Sequence, residues 1–304
     1  MEESPVLSQQ FRVPVYLKLE FLQTTGSFKL RGAFFSLLNT SPEIRLKGVG
    51  TCSAGNHGWA LAFAGKKLGI PITVYLPKSV DYSKQAGIES LGAETIITDS
   101  PGYDEAHEFA VSDCQRRGLP FVSAFDDTKI MAANGGSLAL EILEEQPEIS
   151  TFVFPVGGGG LAAGLGVLVK EQNQKNFLIG CQHIASPGLK LSLDRGTAIT
   201  KLPPIETVAG GIEGGIGTQT FPYIQKTIDQ VVLLSESEIQ KGVLWLLDHH
   251  HYLIEPSSAA ALSALSCHKV ERLTGPTVIV LTGRNVAFPT LQKIVAENFS
   301  HRPE

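Results

Sequence analysis

The sequence predicts an α/β fold in which parallel sheets are covered by helices on both faces, and three observations predict it. Short strand-like runs alternate with segments of helical spacing, several runs are apolar on consecutive residues, and polar or glycine-rich clusters follow some of them directly. Strands that alternate with helices form parallel sheets, and strands buried on both faces read as unbroken apolar segments. Ligands of such sheets sit beyond the carboxyl ends of the strands, so those clusters are the first places to look for function.

Taken in order, Val13, Val15, Leu17 and Leu19 alternate as in a half-buried strand, and Leu30, Ala33, Phe34, Leu37 and Leu38 then recur at helical spacing. Ser27 is the expected N-cap of that helix. Further strands are expected at Ile72–Leu76, Thr95–Thr98, Phe152–Val156, Phe177–Cys181, Val231–Leu234 and Thr277–Leu281. The uncharged stretch Thr151–Val169 is close to the roughly 20 residues that cross a bilayer. Pro155 and the glycines after it instead divide it into strand, loop and helix, so no membrane span is expected. No repeat or low-complexity tract marks a boundary, but residues 48–125 have the size of a small inserted domain, with 1–47 and 126–304 forming a larger one.

Composition narrows the function classes. The chain has 304 residues, 43% hydrophobic and 18% charged, and a formal charge of -5, which suits a soluble protein with a sizeable core and disfavours nucleic acid as a partner. Cys52, Cys114, Cys181 and Cys267 stand far apart, with no spacing that suggests zinc or a redox dithiol, and a reduced cytoplasmic setting is expected. The first residues, with Glu2 and Glu3, do not read as a signal peptide.

Four clusters carry candidate chemistry. In Thr25-Gly26-Ser27-Phe28-Lys29-Leu30-Arg31-Gly32-Ala33 a lysine opens an amphipathic helix, where the helix dipole and burial beside Phe28 both disfavour the ammonium and bring a nucleophilic amine within reach. The alternative is a solvated surface lysine. Gly157-Gly158-Gly159-Gly160 lies between a strand and the helix marked by Leu161, Leu165 and Leu168, an arrangement that cradles phosphate through backbone N–H groups. Gly158, Gly160 and Ala163 also fit a dinucleotide fingerprint, but the next strand ends Cys181-Gln182-His183 without the acidic residue a ribose requires. Ser53-Ala54-Gly55-Asn56-His57-Gly58 offers hydroxyl, amide and N–H donors at a helix start, suited to a carboxylate or a phenolate, or simply to capping. Thr282–Asn285 follows the last strand. His249-His250-His251 lies at the expected end of a helix begun near Ser235 and reads as capping rather than metal binding.

As an ordered set these clusters resemble the fold type II pyridoxal-phosphate enzymes, in the branch of serine/threonine dehydratases (threonine ammonia-lyases) and serine racemases, and Glu255-Pro256 with its small followers also resembles the family's pattern. The resemblance implies a tryptophan synthase β-like fold of two open, mostly parallel, twisted sheets. It implies pyridoxal 5'-phosphate held by Lys29 as a Schiff base, Lys29 as the group that moves the α-proton, and Phe28 beside the ring. It further implies Asn56 at the phenolic oxygen, Gly157, Gly158, Gly159, Gly160 and Leu161 at the phosphate, and Thr282, where the family usually has serine, at the pyridine nitrogen. Ser53, Ala54, Asn56 and His57 would line the substrate, a small 3-hydroxy amino acid that loses its β-hydroxyl to give a 2-oxo acid and ammonia, in an enzyme of two identical chains.

The alternatives are a racemase and a lyase for another β-substituted amino acid, such as 3-hydroxyaspartate or an ectoine-degradation intermediate, which Gly214-Gly215-Ile216-Gly217 partly resembles. Ala54 stands where serine racemases carry serine, which favours elimination. The family's Thr-Ile-Ala-Asp-Gly is here Thr207-Val208-Ala209-Gly210-Gly211, and its Gly-Gln-Gly-Thr is Asn134-Gly135-Gly136-Ser137. Gln182 and Gly188 replace the acidic positions of a divalent-ion site in racemase-like members, so no metal is expected.

Overall fold

The computed structural model describes residues 1–80, 82–100 and 102–299. Nine strands appear: β1 (Glu2–Glu3), β2 (Val15–Leu19), β3 (Val49–Cys52), β4 (Ile72–Leu76), β5 (Glu94–Ile97), β6 (Thr151–Pro155), β7 (Phe177–His183), β8 (Gln230–Leu234) and β9 (Thr277–Leu281). They form a six-stranded sheet in the order β1-β2-β9-β6-β7-β8 and a three-stranded sheet in the order β3-β4-β5. Among the strands of the described residues only the β1–β2 pairing is antiparallel; the other pairs are parallel. The expected α/β class is therefore present, with strand ends displaced from the sequence reading by no more than two residues.

Every residue of β4, β6 and β9 is buried, because helices cover both faces of each sheet. The helices Glu236–His250 and Pro256–Ser266 supply one core of the large sheet, around Ile239, Val243, Leu262 and Leu265. Leu138–Glu145 and Gly160–Gln172 supply the other, around Ile142, Leu165 and Val169. The alternation read in Val13–Leu19 holds for Val15 and Leu17, but the opposite face of β2 is covered too: Lys18 is buried and its ammonium meets Glu141 at 2.8 Å. The small sheet has a separate core that includes Val49, Ile72, Val74 and Leu61, and Leu30, Ala33 and Leu37 of the helix Lys29–Leu38 pack into it.

Thr151–Val169 divides as expected into β6, a loop and the start of a helix, and no described helix is long and apolar enough to cross a membrane. Strand order fixes where the clusters meet. β2, β9 and β6 are parallel neighbours, so the segments leaving their carboxyl ends emerge side by side. Those segments carry Lys29, Thr282 and Gly157.

Candidate active site

Backbone pairing delivers the lysine. Ser27 bridges Gly283 just beyond β9, and the Phe28 N–H donates to the Thr282 carbonyl at 3.0 Å. The helix begins at Lys29, with Phe28 at the N-cap position and no side-chain cap, which corrects the expectation for Ser27. Ser27 is drawn into the bridge instead, and its hydroxyl is buried without a partner. The Gly32 N–H, which lies at the start of the helix, is taken by Asn134 Oδ1 at 2.8 Å. Asn134 stands on a π-helical stretch, Ala132–Ser137, so this departure from the family pattern secures the helix that carries Lys29.

The Lys29 amine donates to the Ala124 carbonyl at 2.7 Å and lies 5.1 Å from the centre of the Phe28 ring. Desolvation lowers its pKa to about 8, against the pull of the Glu255 carboxyl. Desolvation likewise raises Glu255 to about 7, although Asn56 and Lys29 both favour its charged form. Asn56 Nδ2 donates to the two Glu255 oxygens at 2.8 and 3.0 Å. Asn285 Nδ2 donates at 2.7 Å to Asn56 Oδ1 and at 2.8 Å to the Thr25 carbonyl. Beside them His57 is buried, and desolvation followed by repulsion from Lys29 pushes its imidazole down to about 3, so it is neutral. Ser53 Oγ accepts from the Gly55 N–H at 3.3 Å, and Ala54 is partly buried beside it.

Gly157–Gly160 runs directly from β6 into the helix Gly160–Gln172. Gly159 has φ 97°, a left-handed conformation that glycine adopts without strain. A Cβ on Gly157 would run into the Gly211 carbonyl, and one on Gly158 into the Phe125 ring, so the loop is packed down to its backbone. The helix starts at Gly160 without a side-chain cap, and the first N–H groups of a helix lack a carbonyl one turn back, an arrangement suited to an anion. Thr282 is buried at the end of β9. Ser123, Phe125 and Asp126, which flank the carbonyl bonded by Lys29, also line a cavity of about 350 Å³ with Tyr103, His107 and Lys201.

The remaining departures have structural roles. Gln182 Oε1 accepts from the Leu189 N–H at 2.8 Å and Nε2 donates to the Val156 carbonyl at 3.3 Å, while a Cβ on Gly188 would approach the Gly214 carbonyl at 2.5 Å. Thr207 and Val208 both donate to Glu236, and Gly211 N–H donates to Ser257, which holds this loop against the glycine turn. His251 ends the helix Glu236–His250 in a left-handed conformation and His249 bonds the Trp245 carbonyl, in line with capping, whereas His250 bonds Ser4 and Glu2. Among the described residues no group of three or more His, Cys, Asp or Glu could hold a metal ion.

An amine of lowered proton affinity beside an anion cradle is the donor set for an aldehyde that bears a phosphate. Residues 1–283 match the family described as "Pyridoxal-phosphate dependent enzyme". The chain belongs to that family. The cradle, the desolvated Lys29 and the amide of Asn56 fit the cofactor that the family name specifies. The L-threonine ammonia-lyase of Geobacter sulfurreducens is 38% identical over 289 residues, 95% of this chain and 71% of that protein. The catabolic L-threonine dehydratase of Escherichia coli K12 is 31% identical, over 97% of this chain and 89% of that one. The structure of processed threonine deaminase isoform 2 from Solanum lycopersicum superposes with a TM-score of 0.90 at 31% identity, over 97% of this chain and 81% of the other. Maize serine racemase superposes with a TM-score of 0.89 at 26% identity, over 98% and 92%.

Three side chains of the cleft have no role assigned by the sequence. Glu255 was legible only as part of the Glu255-Pro256 pattern, and Asn285 only as the end of a polar cluster after a strand. Phe125 carries no sequence signal at all.

Proposed function

We propose that this chain is an ammonia-lyase that removes the β-hydroxyl of L-threonine, L-serine or another small 3-hydroxy amino acid, giving a 2-oxo acid and ammonia. The observation that carries the reading is the Lys29 amine, desolvated in a cleft bordered by an anion-binding glycine turn and by Asn56. Pyridoxal 5'-phosphate, when bound, supplies an electron sink for the pair left by the α-proton.

The protein supplies the rest. The N–H groups along Gly157, Gly158, Gly159, Gly160 and Leu161 hold the phosphate, and Phe28 packs beside the ring. Asn56 would hold the phenolic oxygen through an N–H of the amide that Glu255 orients. Ser53, Ala54, Asn56 and His57 line the place of the substrate, with its carboxylate at the start of the helix Asn56–Leu68. A neutral His57 contributes shape and hydrogen bonding there rather than charge. Lys29 carries the cofactor and then accepts the α-proton at Nζ; a pKa near 8 keeps an appreciable neutral fraction close to physiological pH. The Thr282 hydroxyl would hold the pyridine nitrogen as a neutral hydrogen-bond partner and would supply no carboxylate to keep it protonated.

Ala54 separates elimination from the racemase alternative, since a methyl group delivers no proton to the face opposite Lys29. Residues 48–125 are read as a small domain and 1–47 with 126–304 as a large one. The three-stranded sheet supports that division, while Leu30, Ala33, Leu37 and Ile130 join its core from outside those bounds, and residues 300–304 lie outside the described part. The reading places the chain in the cytoplasm as a homodimer; four free cysteines and the exposed Leu22, Phe35 and Leu38 are consistent with it.

The test is incubation with a panel of β-substituted L-amino acids, measuring keto acid, ammonia and, by chiral chromatography of early samples, D-isomer. Keto acid and ammonia in equal amounts with little D-isomer are expected. D-amino acid appearing as fast as keto acid would replace the lyase reading by the racemase one.

A further inference from the structure

Glu255 is a carboxyl of the cleft for which the reaction so far has no use. It follows the Gly283 backbone, to whose carbonyl its N–H donates at 3.0 Å, and it precedes the helix Pro256–Ser266. Its side chain turns back over Gly283: a Cβ on that glycine would run into Glu255 Oε1. A carboxyl laid over a glycine fits only where the glycine stays bare.

The partners of Glu255 form a directed chain. An asparagine amide is a donor at nitrogen and an acceptor at oxygen, and its two orientations are nearly equal in shape. Asn285 Nδ2, anchored on the Thr25 carbonyl, donates to Asn56 Oδ1, and Glu255 accepts from Asn56 Nδ2. An acceptor on one side and a donor on the other permit one orientation of Asn56 only. The charges that bear on Glu255 are Lys29 and, more weakly, Lys84 on the helix Tyr82–Ser90.

We propose that Glu255 is the positioning residue of this site: its carboxylate fixes the orientation of the Asn56 amide by accepting from Nδ2, so that the cofactor is offered only an N–H not spent on Glu255, and it is the counter-charge of the nitrogen at Lys29. The assignment rests on the reading of the cleft as a pyridoxal-phosphate site. A negative charge at this place favours the protonated form of that nitrogen, with or without the aldehyde attached. The Glu255→Gln variant keeps the shape and an acceptor for Asn56 but removes the charge, so the nitrogen releases its proton at lower pH.

The experiment is a pH titration of the visible absorbance of the cofactor-loaded full chain, without substrate, for the unmodified protein, Glu255→Gln and Glu255→Asp. The midpoint is expected to fall by about one unit or more in Glu255→Gln, the size of shift typical of a nearby opposite charge, and to return most of the way in Glu255→Asp. A loaded Glu255→Gln protein whose midpoint coincides with that of the unmodified chain would overturn the assignment and leave the functional reading standing. A chain that shows no visible band with pyridoxal phosphate would overturn both. Thermal unfolding of each variant accompanies the titration, and if Glu255→Gln does not fold, Glu255→Ala takes its place, a loaded Glu255→Ala protein with an unshifted midpoint counting against the assignment.

Discussion

Two cations two residues apart, Lys29 and Arg31, are treated in opposite ways by the same first turn of one helix. Arg31 is surrounded: its Nε and a terminal nitrogen reach Glu20 at 2.7 and 2.8 Å, and its terminal nitrogens reach Glu141 at 2.7 and 2.6 Å and Ser137 at 3.1 Å. Desolvation works against the guanidinium charge, but the hydrogen bonds it donates to Glu20 and Glu141 outweigh it and raise the pKa above its ordinary value. Lys29 donates to one carbonyl, the Glu255 carboxyl being bonded to Asn56 instead, and desolvation wins. Partnership, more than depth, decides whether a cation is kept as scaffold or released for chemistry, and the chain withholds partners only at the lysine.

The comparison is broken most completely at its reactive member. Lys29→Ala is expected to leave a folded protein whose elimination rate falls by about a thousandfold or more, because the attachment point and the base vanish together. Circular dichroism beside the keto-acid assay checks both halves, and near-normal turnover would end the mechanism. Arg31→Ala attacks the other member. It strands Glu20, which is 3% exposed, without its cation and is expected to cost about 3–5 kcal/mol in denaturant unfolding.

pH sharpens the contrast, since the acidic partners of the two cations titrate in opposite senses. Glu141 is lowered from 4.5 to about 2, chiefly by the Arg31 hydrogen bonds, so its stabilisation is complete above pH 4.5 and is lost as pH falls through about 2. Glu255 is raised from 4.5 to about 7, so its contribution is complete below pH 4.5 and is lost as pH rises through about 7. Unfolding free energies measured across both windows are expected to flatten on the acid side in Glu141→Gln and on the neutral side in Glu255→Gln. A single shared slope in both variants would show that the two clusters are not independent. The smallest effect is expected from chelators: EDTA is predicted to leave activity and unfolding temperature unchanged, and loss restored by magnesium would contradict that.

Local signals were legible because their causes are local. The strands at Ile72–Leu76 and Thr277–Leu281 match the sequence reading to the residue, since unbroken apolar runs between turn residues have few other uses in a covered sheet. The glycine turn was legible for the same reason. Ser27 was misread as a cap because its partner, Gly283, comes from the far end of the chain, and no local pattern announces a bridge. Asn134 lies 102 residues from the Gly32 N–H that it satisfies, so its role emerges only after folding. Glu255 was hidden differently: an acidic residue before a proline reads as a helix start, and only the bare backbone of Gly283 brings it to Lys29.

The Gln182 amide ties the start of the helix Gly188–Arg195 to the end of β6 at the position where racemase-like relatives would recruit an ion. An ion exchanges with the surrounding pool, and whatever it orders rises and falls with the supply. A side-chain amide is present at one copy per chain from synthesis onward and has no dissociation constant. The Gly214 backbone that packs against Gly188 is thus set beside groups that the chain itself carries.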